Sequence, residues 1–179
     1  MQQAIRGAEE LRREFDAAFA APPLERDETL EPLLLIEVTP GRRAALRIAE
    51  LGGLHVCPPI VRLPGGAPPQ LGVVGLRGKL AVAFGLPEAT GVEPPARPGR
   101  WIALWGGDRA IGFVFHALEG HVLASRGRIR RTDRGGDAAR AEAPADTVVE
   151  LERGLVPLIE LGELAAPLCA ERAKHDSLV

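Results

Sequence analysis

Cys57 lies two residues from His55, a spacing that puts both side chains on one face of a strand, and a thiol beside an imidazole is a pairing used by nucleophilic catalysts. The remaining inventory for covalent chemistry is thin. Two serines, Ser125 and Ser177, and four histidines, His55, His116, His121 and His175, are present, and neither serine stands in a nucleophile elbow. A metal site needs three or four converging ligands; His55 and Cys57 supply two, and His116 and His121 lie five residues apart, so no metal is expected. The pairs Gly65-Gly66, Gly106-Gly107 and Gly135-Gly136 lack the Lys-Ser/Thr ending or following helix of a phosphate cradle and read as turns. Such residue types favour binding over turnover, with no catalytic residue and no cofactor expected. A small-ligand-binding β-barrel module and a thiol-dependent enzyme centred on Cys57 are the alternatives.

The 179 residues suffice for one sizeable core, and a net charge of −2 argues against a dedicated nucleic-acid binder. Only Lys79 and Lys174 are lysines; basic charge is otherwise arginine. The run Arg126, Arg128, Arg130, Arg131 and Arg134 reads as a solvated loop, an anionic partner surface being the other reading. Cys57 and Cys169 are too isolated for a zinc ribbon or a Cys-x-x-Cys motif, which points to a reducing, cytoplasmic setting. Charges throughout Met1 to Ala21 exclude the apolar centre of a signal peptide, and no window reaches the roughly 18 apolar residues of a membrane span.

The elements follow from spacing. Ile5, Ala8, Leu11, Phe15, Ala18 and Phe19 recur at three- and four-residue steps, which predicts an amphipathic helix ended by Pro22-Pro23, so that residues 1–23 form an N-terminal helical segment. It would either cover an edge of the chain's own fold or dock on a partner. From Leu30 to about Leu161 short apolar runs alternate with Gly and Pro, the pattern of a mainly β domain. Strands are predicted at 33–38, 43–48, 60–63, 71–76, 80–84, 101–105, 110–115, 121–124, 147–151 and 155–159. Linkers are predicted at 89–99 and 131–146, the first near the midpoint of the β region, which suggests two sub-barrels. Beyond Glu160 a short turn over 161–165 and a new helix opening at Pro167 are expected, the domain running over 30–173 and a tail over 174–179.

One segment stands out. Leu71-Gly72-Val73-Val74-Gly75-Leu76-Arg77-Gly78-Lys79-Leu80-Ala81-Val82 places an arginine and three glycines in an apolar, strand-like run. Two strands would meet at a bend over Arg77-Gly78-Lys79, where Gly78 supplies backbone freedom and Arg77 needs a partner if buried. The segment resembles the G-V-x-N-L-R-G signature of CheW-like domains, the adaptors of bacterial chemotaxis, at Gly72, Val73, Leu76, Arg77 and Gly78. The order of Leu33 to Val38, Ala45 to Leu51, Ile60 to Gly65, Trp101 to Leu104, Ile111 to His116 and Gly154 to Ile159 is similar to that family's order. Gly75 replaces the signature asparagine, Phe115-His116 replaces a Val-Asp pair, and the Val-Pro-Val-x-Asp-Leu run is reduced to Ala81 to Leu86, so the chain resembles a divergent member.

The resemblance implies two small SH3-like β-barrels with a closing C-terminal helix. It further implies a non-catalytic adaptor that couples the cytoplasmic tip of chemoreceptors to the regulatory domain of a histidine kinase, cytoplasmic and recruited to membrane-associated receptor arrays, without inserting in the membrane or binding nucleic acid. Arg77 would then be either a clamp across the sub-barrel seam or a direct receptor contact. The acidic partner that the family often supplies for this arginine aligns with Gly53, with Glu50 three residues away. Apolar docking edges are expected at Val61, Leu63, Val82 and Phe84, with Val73 in the same class.

Overall fold

The computed structural model describes residues 30–97, 99–106, 110–131, 146–152 and 154–176, the last seven by backbone alone. The predicted N-terminal helix and most of the predicted 131–146 linker lie outside the described residues. Eleven strands fall into two sheets. They are β1 (Leu30–Thr39), β2 (Arg42–Arg47), β3 (Leu51–Val56), β4 (Gln70–Leu76), β5 (Lys79–Gly85), β6 (Trp101–Trp105), β7 (Ile111–Phe115), β8 (Ala117–Ser125), β9 (Ile129–Arg131), β10 (Thr147–Leu151) and β11 (Gly154–Ile159). Two helices, α1 (Leu86–Ala89) and α2 (Leu161–Asp176), complete the described elements, with 3-10 turns at Ile48–Glu50 and Arg126–Arg128.

The sheets run β8-β1-β2-β11-β10-β9 and β3-β6-β7-β5-β4. Both are mainly antiparallel, each with one parallel pairing, β2 with β11 and β5 with β7. The outer strands of the first sheet, β8 and β9, are joined by the three-residue turn Arg126–Arg128. In the second sheet one stretch of chain borders both edges. Cys57 N–H donates to Arg100 O at 2.8 Å, prolonging the β3–β6 pairing, and Val61 then exchanges two hydrogen bonds of 2.8 and 2.9 Å with Val73 on β4. Each unit is thus a small barrel of the expected SH3-like kind.

Period-two alternation sorts the apolar residues into three cores. On β1, Leu33 and Leu35 point into the first barrel, with Ala45, Ala124, Val149, Val156 and Leu158. Leu34, Ile36 and Val38 point the other way. On the second sheet Val74, Ala81, Ala83, Ile102, Leu104 and Val114 fill that barrel. Their strand neighbours Phe84, Ala103, Ile111, Phe113 and Phe115 face outward and meet Leu34, Ile36, Val38 and Leu46 of the first sheet. This seam core holds the largest fully buried side chains, Phe113 and Phe115, with Phe84 6.2 Å from Phe113 between ring centroids. α2 covers it through Leu161 and Ala165.

Prediction and structure differ at four elements. Residues 60–63 form a single bridge at Val61 instead of a strand, because Pro58, Pro59 and Pro64 remove the donors a ladder needs. β3, over Leu-Gly-Gly-Leu-His-Val, and β9, inside the arginine run, are strands that composition hides. α2 runs continuously through Pro167, with no break between turn and helix: proline forfeits one hydrogen bond to the fourth preceding carbonyl, and packing of Leu161, Ala165 and Leu168 on the seam offsets that loss.

Gly72 marks the closure of the second barrel. Its φ is +145°, and a Cβ there would lie 2.2 Å from Val61 O. Gly72→Ala is therefore expected to cost about 2–4 kcal/mol by pushing the closing segment off β4, whereas Gly75→Ala, whose Cβ meets open space, stays within about 0.5 kcal/mol. Urea denaturation of both variants checks the contrast.

Candidate functional site

The β4–β5 hairpin supplies the site. Leu76 pairs with Lys79, leaving Arg77 and Gly78 as a two-residue turn with φ of +49° and +77°. Two successive positive φ values are the signature of a type I′ turn, whose twist matches that of the strands. Glycine adopts it freely. Arginine does so at a cost of roughly 1–2 kcal/mol, because its Cβ crowds the following carbonyl in the left-handed region.

The predicted clamp role for Arg77 is not met. Its side chain is exposed at the turn and has no hydrogen-bond or ion-pair partner among the described residues. A hairpin tip projects beyond the ladder.

Across the strands below the tip runs an apolar row. Ile111 pairs with Val82, Val82 with Val73, and Val73 with Val61, and paired residues share a face of the sheet. That face is the outer one, continuous with the seam core. Exposure rises along the row: Ile111 is buried, Val82 and Val73 are half-buried, and Val61 is 67% exposed. Leu80, two residues from Val82 on the same face, is 73% exposed and stands opposite Gly75, which has no side chain to cover it. Leu63 is exposed beyond Val61. Of the predicted docking residues, Val61, Val73, Val82 and Leu63 thus border one strip, Phe84 turns into the seam core, and Leu76 packs toward the barrel interior. Gly72 and Gly78 shape the backbone around it. Leu80 was missed, and its alternation with Val82 across from Gly75 was the available signal.

A cluster of carboxylates does surround another arginine, within the first unit and at the start of α2. Arg47, at the end of β2, pairs with Glu31 on β1, lies 3.5 Å from Glu160 at the start of α2 and 3.9 Å from Glu50. Burial disfavours its charge, but the hydrogen bond and charge of Glu31, with those of Glu160, outweigh this and raise its pKa. Glu50 accepts from the N–H groups of Leu161 at 2.6 Å and Gly162 at 3.3 Å, capping α2. Burial pushes the Glu50 carboxyl above its usual range, with the nearby Glu160 charge adding to it and the two N–H donors and Arg47 opposing. Glu50 therefore serves the closing helix and Arg47, not Arg77.

Burial works against the thiolate at Cys57. Its half-buried thiol is pushed upward in pKa by burial, and Sγ donates at 3.5 Å to Pro58 O. It borders an open cleft of about 710 Å³ with Pro58, Pro59, Arg62, Gln70 and Glu88. No group of three or more His, Cys, Asp or Glu side chains among the described residues is placed to hold a metal ion. No helix among them is long and apolar enough to cross a membrane.

Neither a protein-family model nor a curated protein sequence matches the chain. Among solved structures, the chain is similar to the scaffolding protein TtCheW from Thermoanaerobacter tengcongensis, with a TM-score of 0.61 at 12% identity, covering 73% of this chain and 88% of that one. The fold is CheW-like. At this identity the likeness lies in the backbone, and the CheW-like frame of two barrels sharing a seam is built here from largely different side chains.

Arg77→Asn is expected to stabilise the chain by about 0.5–1 kcal/mol, since asparagine tolerates the left-handed region, while weakening any partner that uses the guanidinium. Thermal denaturation reads the first effect and a binding titration the second. Glu50 sets a pH dependence. Its folded-state pKa is raised, so the folded chain binds the proton more tightly, and ionisation as pH climbs from about 4.5 through the raised value costs stability. The stability of the wild type minus that of Glu50→Gln should fall across that window and flatten above it, as measured by denaturant midpoints from acid to neutral pH.

Proposed function

We propose that this chain is a non-catalytic adaptor of chemotaxis-type signal transduction, acting by protein–protein contact. The observation that carries the reading is the exposed apolar strip of Val61, Val73, Val82 and Leu80 on the outer face of the second barrel, in a frame whose solved neighbour is a scaffolding protein. Side chains so exposed stabilise nothing in the monomer. Covering Leu80 and Val61 would each contribute on the order of 1–2 kcal/mol to a complex. The partners proposed are the regulatory domain of a histidine kinase and the cytoplasmic tip of a chemoreceptor, with the chain cytoplasmic and recruited to receptor arrays. Gly72 and Gly78 hold the strip's backbone, and Arg77 stands at its tip as a contact residue.

A small-ligand module is the second reading, and the cleft beside Cys57 would be its site. It is weaker, because the cleft is open and no buried, unpartnered polar side chain among the described residues is aimed into it.

Co-purification of the full chain with the histidine kinase regulatory domain of its own genome tests the adaptor reading. Retention of the kinase domain by the wild type, lost in Leu80→Asp with the thermal midpoint unchanged, is the expected outcome. Failure of the wild type to retain either the kinase domain or a receptor tip would remove the proposal.

A further inference from the structure

β3 is an edge of the second sheet, and its free side is open. The order β3-β6-β7-β5-β4 gives it β6 as its one neighbour strand among the described residues. The direction of its backbone groups follows from that pairing. Cys57 N–H donates to Arg100 O at 2.8 Å and Gly106 N–H to Glu50 O at 2.7 Å, so alternate residues of β6, counted from Arg100 to Gly106, turn their backbone groups to β3. Gly53 and His55, opposite Leu104 and Ile102, point back at β6 as Cys57 does. The N–H and C=O groups of Leu54 and Val56 therefore point away from the sheet, and none of them has a hydrogen-bond partner among the described residues.

An open edge is a template for another strand, and proteins blunt one with lysine, proline, a bulge or a covering segment. On β3 the register shift between Leu51 and Gly53 re-aims only the start of the strand. Leu54, His55 and Val56 include neither lysine nor proline, and no residue of β3 is buried. The opposite edge of the sheet, on β4, is already met by Val61. Side chains at the β3 edge carry the seam core outward. Phe115 pairs with Trp101 and Trp101 with Val56; two residues along, Phe113 pairs with Ala103 and Ala103 with Leu54. Exposure rises along the first row, from buried Phe115 through half-buried Trp101 to Val56 at 55%. A strand laid on β3 must therefore bring backbone donors and acceptors, and aliphatic side chains at the row ends.

A second copy of β3 meets both demands. Turned antiparallel about His55, it sets Leu54 of one copy opposite Val56 of the other. In that register Leu54 and Val56 exchange N–H and C=O bonds across the join, so every open group named above gains a partner. The rows join as well: Phe115, Trp101 and Val56 of one copy run on into Leu54, Ala103 and Phe113 of the other, with no charged residue in the line. We infer that two copies of this chain pair antiparallel through β3, centred on His55, continuing the second sheet of one copy into that of the other. The join is isologous, so this edge makes a dimer and stops there. It does not depend on the adaptor reading and uses no residue of the strip on β4 and β5.

Sedimentation velocity of the full chain from about 5 to about 500 μM tests this, a join through one strand being smaller than a standard interface. The wild type should pass from monomer to dimer across that range. Val56→Lys and Val56→Pro, which put on the free side a charge or a residue without an N–H, should each weaken the dimer by about ten-fold or more. Their thermal midpoints at low concentration should stay within about 2 °C of the wild type, since Val56 is exposed and its N–H bonds nothing among the described residues. Cross-linking reads the register in a chain with Cys57 and Cys169 changed to serine. There His55→Cys should oxidise to a covalent dimer, because directly opposed Cβ atoms lie about 4.5–5.5 Å apart, whereas Leu54→Cys should not, its counterpart lying diagonally at about 7–8 Å. A wild type that stays monomeric, a dimer that survives both Val56 variants or is lost instead in Leu80→Asp, or cross-linking at Leu54→Cys and not at His55→Cys overturns the inference. Protection of the Leu54 and Val56 amides from hydrogen exchange that appears only on adding the histidine kinase regulatory domain overturns it too, and assigns the edge to a strand of that partner. All of these leave the adaptor reading standing, which retention of the kinase domain tests separately.

Discussion

The structure depends on a sheet having to bury both of its faces. Each barrel is filled by one face of its strands, yet a small barrel interior cannot absorb all the apolar surface that the strands carry. The outer faces of β1, β2, β6 and β7 are therefore apolar as well, and they meet across the seam. Burying a phenylalanine contributes roughly 1.5–3 kcal/mol, and Phe113 and Phe115 are both fully buried there. A partly exposed ion pair contributes at most about 1 kcal/mol. Apolar packing thus joins the barrels, and the Arg47 cluster fixes only how the closing helix begins.

That double burial explains what could be read from sequence. A strand with two apolar faces reads as a continuous run, so Leu33 to Val38, Trp101 to Trp105 and Ile111 to Phe115 were visible as strands. Which residue faced which core was not visible, and Phe84 was expected at an open edge for that reason. β3 escaped notice because its two glycines and His55 dilute the apolar signal, while its pairing with β6 spans some fifty residues. β9 escaped because Arg130 and Arg131 dominate three residues whose single inward side chain is Ile129. The Gly72 to Gly78 stretch was legible because its demands are local: a close approach of backbone at one glycine and a tight turn at another.

Long-range pairing was the part least open to inspection. A clamp across the seam is not found on Arg77; the arginine that gathers carboxylates is Arg47, at the end of β2 beside the start of α2. Its carboxylates come from positions 31, 50 and 160, which only the finished topology brings together. Glu50 was noticed for its nearness to the alignment position of an arginine partner. Its function is set instead by two backbone N–H groups more than a hundred residues away.

The hairpin tip poses a different question, because Arg77 holds a left-handed conformation that glycine or asparagine would hold at lower cost. Packing does not explain the arginine, since its side chain is exposed and has no partner among the described residues. Turn geometry does not explain it either. A strained arginine with no offsetting contact among the described residues fits the contact role proposed for its guanidinium. Strain at position 77 and exposure at Leu80 are two features of one hairpin, and the protein–protein contact proposed for it would account for both.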